Sequence, residues 1–101
     1  MVTVRKVQSD LREIRYYHSK RDMFESASKC IIESSILEKV NRYNRAMINA
    51  PPRLYEFYYS RYVQNTTQAA LAGKWNCSLS HIKQLEKRLC SYLVQKLNEK
   101  S

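Results

Sequence analysis

Val4, Val7, Leu11 and Ile14 recur at spacings of three, four and three, with Arg5, Lys6, Arg12 and Arg15 turned away from them. That pattern predicts an amphipathic helix at the start of the chain. HSKRD then breaks the period, with Ser19 placed to cap a second helix and Asp22 suited to its first turn. From about Lys20 to Asn49 there is no proline or glycine. Met23, Ala27, Cys30 or Ile31, Ser34, Leu37, Val40, Asn44 and Met47 form one stripe. The spacing predicts a single long helix that needs a partner along that stripe. Either the first helix folds back on it as an antiparallel hairpin, or two copies pair as a coiled coil. Ser34 and Asn44 weaken the second arrangement.

NAPPRL ends the long helix, because the residue before a proline leaves helical geometry and Pro52 suits the first turn of a new helix. This divides the chain into an N-terminal helical segment, 1–49, for interaction or dimerisation, and a C-terminal unit, 51–101. In LYEFYYSRYV the tyrosines beside Arg53 and Arg61 have the chemistry to stack on bases. The reading preferred here is that Leu54, Tyr58, Tyr62 and the Arg61 stem pack inward.

Asn65 and Asn76 suit left-handed turns, and Thr67 and Ser78 stand ready to cap the helices that follow. Between them Leu71 and Trp75 point to the core and Ala72 is small enough for a close crossing. Ile82, Leu85, Leu89, Tyr92 and Leu93 form the buried stripe of the last helix. Two helices crossing steeply over so short a connection make a helix-turn-helix, whose second helix enters the major groove of DNA. At roughly 100° per residue, Ser80, Lys83, Gln84, Lys87 and Ser91 fall opposite the apolar stripe. Glutamine pairs with adenine, lysine with guanine or phosphate, and serine with several acceptors.

Composition sharpens this picture. One glycine and two prolines in 101 residues leave little for hairpins, so the fold expected is all-α with about five helices. A net charge of +9, shared by both halves, favours a polyanionic partner, with double-stranded DNA first. Three widely spaced cysteines without a CxxC pair argue against disulfides or zinc. Cys77 and His81 alone are two ligands short of a metal site. No cofactor or metal is expected. MVTVRKVQSDLREIRYY is too charged for a signal peptide, and no apolar run spans a bilayer, so no membrane partner is expected. Catalysis is not expected either: neither His18 nor His81 sits near an evident acid or nucleophile in sequence, and Gly73 alone forms no phosphate loop.

RYVQNTTQAALAGKWNCSLSHIKQLEKRLCSYL, Arg61 to Leu93, resembles region four of bacterial sigma factors. The likeness rests on RY closing the preceding helix, a threonine cap, small Ala72, Ser78 after the turn and, above all, IKQLEKRLCSYL. It implies a DNA-reading last helix, starting near Ser78, and contact with RNA polymerase. Lys83 and Gln84 match the family's basic and glutamine contacts. The DNA-facing set expected is Thr67, Gln68, Lys74, Ser78, Leu79, Ser80, His81, Lys83, Gln84, Lys87 and Arg88. Leu79 and Ser80 stand where the family often has charged base-reading residues, a departure from its usual −35 specificity. The remaining sigma regions have no room here.

The architecture looks like that of phage late-gene transcriptional regulators of the ArpU and RinA types. The function expected is therefore a sequence-specific transcription regulator, an activator from a phage or mobile element. It would act in the cytoplasm of a bacterial host, associated with the nucleoid, as a monomer or homodimer. Two rivals stay open: a small terminase-like DNA-packaging subunit, and a polymerase-binding adaptor that does not read DNA.

Overall fold

A computed structural model describes residues 1–20 and 31–99, and among them every regular element is helical. α1 (Val4–Ser19) is followed by α2 (Ile31–Met47), and α3 (Pro52–Tyr58) runs into a π turn at Tyr59–Val63. α4 (Gln68–Lys74) and α5 (Leu79–Asn98) complete the chain. None of these helices is long and apolar enough to cross a membrane.

α1 starts at Thr3, whose side chain accepts from the Lys6 amide as an N-cap. Val7, Leu11 and Ile14 are buried as the spacing predicts, but Val4 is exposed. At about 100° per residue the buried arc is centred between Val7 and Ile14. Asp10 and Tyr17 therefore fall within it, while Val4 lies at its edge. Ser19 closes α1, donating to the Tyr16 carbonyl at 2.8 Å, and the helix start it was expected to cap lies outside the described residues. Asp22, Met23, Ala27 and Cys30 lie outside the described residues, as do the side chains of Ile31 and Ser34.

Along α2, Val40, Tyr43 and Met47 are buried, whereas Asn44 is exposed. Both 43 and 44 are acceptable helical spacings after Val40. Tyr43 takes the core because it buries a ring and finds a partner for its hydroxyl, donating to Asp10 at 2.7 Å. Asn44 sits at the edge and accepts from the Tyr58 hydroxyl at 2.9 Å. Lys39 of α2 bridges Asp10 and Glu13 of α1, at 3.1 Å and 2.7 Å. Residue numbers rise along α1 as they fall along α2 in these pairs, so the two helices are antiparallel.

The hydrophobic core crosses the Pro51–Pro52 junction. Val7, Leu11 and Ile14 share one cluster with Phe57, Tyr58, Tyr62, Leu71, Ile82, Leu85, Leu89 and Leu93. Tyr58 and Tyr62 are buried and Tyr55 and Tyr59 exposed, which bears out inward packing for the first pair. Near the chain ends, Val2 and Asn98 exchange two hydrogen bonds, at 2.8 Å and 3.0 Å. α5 thereby reaches back to the start of α1.

Candidate nucleic-acid interface

α4 and α5 are joined by the four residues Trp75 to Ser78. Among the described residues two non-glycine residues adopt left-handed backbone, Asn65 at φ 63° and Asn76 at φ 57°. Asparagine tolerates this conformation better than other side chains that carry a Cβ. Gly73, the only glycine, has no positive φ and lies inside the last turn of α4. The bend therefore belongs to Asn76. The Thr67 hydroxyl caps α4 by accepting from the Ala70 amide at 3.1 Å, and Ser78 caps α5 by accepting from His81 at 3.1 Å. Leu71 and Ala72 are buried, and Trp75 packs its edge on Phe57 with the Arg53 guanidinium 4.2 Å from its ring centre.

Glu86 ties α5 to what precedes it. The Tyr62 hydroxyl donates to its Oε2 and the Gln68 amide to its Oε1, at 3.1 Å for the latter. Arg61 Nε lies 3.5 Å from the same Oε1. Burial pushes the Glu86 carboxyl above the ordinary carboxylate range, against the pull of Arg61 and, more weakly, of Arg15. This carboxylate is turned inward, so the outer arc of α5 from Leu79 to Ser91 presents no acid.

On that arc Leu79, Ser80, Lys83, Gln84, Lys87, Arg88 and Ser91 are exposed and His81 is half-buried. Lys83, Gln84, Lys87 and Arg88 make no hydrogen bond or ion pair with any described residue. Thr67 and Lys74 are exposed on α4. Ser78 and Thr67 are engaged as caps and Gln68 is spent on Glu86, so these three shape the unit from within. Arg53, which sequence reasoning weighed only for stacking, lines one cleft with Lys87, Arg88 and Ser91. It joins the basic face through the fold, and no short-range spacing marks it.

No protein-family model matches the chain, and no curated protein or solved structure matches it either. Among the described residues no three His, Cys, Asp or Glu side chains gather as metal ligands. Burial pushes the Cys90 thiol up to about 11, with the Glu86 charge adding to it, so this sulfur stays protonated at neutral pH.

Proposed function

We propose that the chain is a sequence-specific DNA-binding transcription regulator that reads the major groove with α5. In this reading 51–101 is the DNA-reading unit and α4 and α5 form a helix-turn-helix. The observation that carries it is the division of charge on α5. Lys83, Gln84, Lys87 and Arg88 are exposed without partners among the described residues, while Glu86 is held inward by Tyr62, Gln68 and Arg61. Such a surface leaves glutamine for adenine edges and cations for guanine and phosphate. The net charge of +9 steers the protein towards a polyanion.

The resemblance of IKQLEKRLCSYL to sigma region four supports a promoter as the site and RNA polymerase as a second partner. It also supports an activator of phage or mobile-element type at the nucleoid of a bacterial host. In a homodimer the half-sites would lie about 34 Å apart, one turn of duplex.

Selection of duplexes from a randomised pool on the full chain, followed by fluorescence anisotropy with unrelated competitor DNA, tests the reading. Enrichment of one sequence that resists competitor supports it. Failure to enrich any sequence overturns it and leaves the adaptor and packaging readings.

A further inference from the structure

α1 separates its charges as α5 does. Asp10 and Glu13 face α2, where Lys39 bridges them. At about 100° per residue, Arg12, Arg15 and Ser19 lie on the opposite arc. Arg12 is exposed and makes no ion pair with any described residue. Arg15 is half-buried, and its Nε is shielded from water without a hydrogen-bond acceptor. Burial and then the charge of Arg61 disfavour its charged form. Glu86 offsets this, but is already engaged by Tyr62, Gln68 and Arg61.

These groups open onto an open cleft of about 410 Å³ lined by Arg12, Arg15, Tyr16, Ser19 and Asn65. Asn65 is the left-handed residue two positions before the Thr67 cap of α4. The cleft therefore borders the loop that leads into the proposed helix-turn-helix. Two guanidiniums and an amide, with no carboxylate in the lining, match an anion with several acceptor oxygens.

We infer that Arg12 and Arg15, with Asn65, hold a backbone phosphate of the same duplex whose bases α5 reads. This rests on the proposed function and extends it: the footprint gains a phosphate clamp from α1, outside the helix-turn-helix. The contact fixes register and adds affinity without reading sequence.

The test uses the full chain and a duplex enriched from the randomised pool, titrated between 50 and 200 mM salt. Each lost phosphate contact makes the plot of log affinity against log salt shallower by about 0.9. Arg12→Ala and Arg15→Gln, alone and together, are expected to flatten the slope by at most about 0.9, the share of one phosphate, with the preferred sequence unchanged. Phosphate-ethylation interference is expected to lose one position beyond the bases read by α5. Arg12 is exposed, so its variant keeps the test valid if Arg15 proves necessary for folding. An unchanged slope and interference pattern, in variants where Gln84→Ala still relaxes base preference, overturns the clamp alone. Gln84→Ala without effect on the same duplex overturns the reading by α5, and the clamp with it. Inorganic phosphate raising the melting temperature of the wild type but not of Arg12→Ala, with no change in the DNA slope, assigns the cleft to a free anion and also overturns the clamp.

Discussion

The Tyr62 hydroxyl donates to Glu86, joining the π turn to the middle of α5 across 24 positions of sequence. Gln68 and Arg61 complete the carboxylate's set of partners. One acid thus ties α5 to the π turn and to α4, and its inward turn leaves the outer face of that helix basic.

Removing the donor tests this anchor. Hydrogen bonds to charged groups contribute about 1.5–3 kcal/mol. Tyr62→Phe is therefore expected to lower stability in urea by about that amount while leaving helix content unchanged. Amide exchange is expected to rise first in α4 and the start of α5, because both hang on this carboxylate.

Acid stability carries two opposite signatures. Burial pushes the Asp10 carboxyl up, but the hydrogen bonds from Tyr43, Lys39 and Lys6 outweigh it and hold it below 3.8. The unfolded chain therefore binds this proton more readily than the folded one. The stabilisation is complete above about pH 4 and is lost as pH falls through the folded value. Asp10→Asn is expected to remove that acid-limb loss in denaturation curves measured between pH 5 and pH 2. Glu86 acts in reverse: its folded value lies above 4.5, so its contribution diminishes as pH rises through the window above that value. Glu86→Gln is expected to flatten that window.

The bend before α5 separates two residues that look interchangeable in sequence. Asn76 occupies left-handed backbone, whereas a Cβ added to Gly73 meets nothing within 4 Å. Asn76→Ala is expected to cost about 1–2 kcal/mol, and Asn76→Gly to hold wild-type stability. Gly73→Ala is expected to stabilise by about 0.4–1 kcal/mol through the unfolded chain. Thermal unfolding of the three variants checks the order.

Ser78 holds the first turn of α5 through its 3.1 Å contact with the His81 amide. Ser78→Ala is expected to cost about 1 kcal/mol, and Ser78→Asp to retain the cap.

The features legible in the sequence were the local ones. Asn65, Thr67, Asn76 and Ser78 each act within three residues of themselves, and their turn and cap chemistry survives folding unchanged. In the expected stripe Ile82, Leu85, Leu89 and Leu93 are buried, as helical spacing alone defines, while Tyr92 is half-buried at its edge. Tyr43 was passed over for Asn44 because Asp10, the partner that decides between them, lies 33 positions away. Nothing local marks Glu86 as turned inward, because its partners Tyr62 and Gln68 lie 24 and 18 positions away. The π turn, shown by the Gln64 amide bonding to the Tyr59 carbonyl at 2.9 Å, has no residue that announces it. Arg53 and Arg15 reach their clefts only through packing between helices distant in sequence.

The most direct test of α5 as the reading helix is the anisotropy of Gln84→Ala and Lys83→Ala on the enriched duplex, beside a duplex of scrambled sequence. Both side chains are exposed and have no partner among the described residues, so circular dichroism is expected to match the wild type. Each lost base contact is worth about 1–3 kcal/mol, so specific affinity is expected to fall roughly 5- to 150-fold. Binding to the scrambled duplex is expected to change little for Gln84→Ala. Wild-type affinity and preference in both folded variants would contradict α5 as the reading helix.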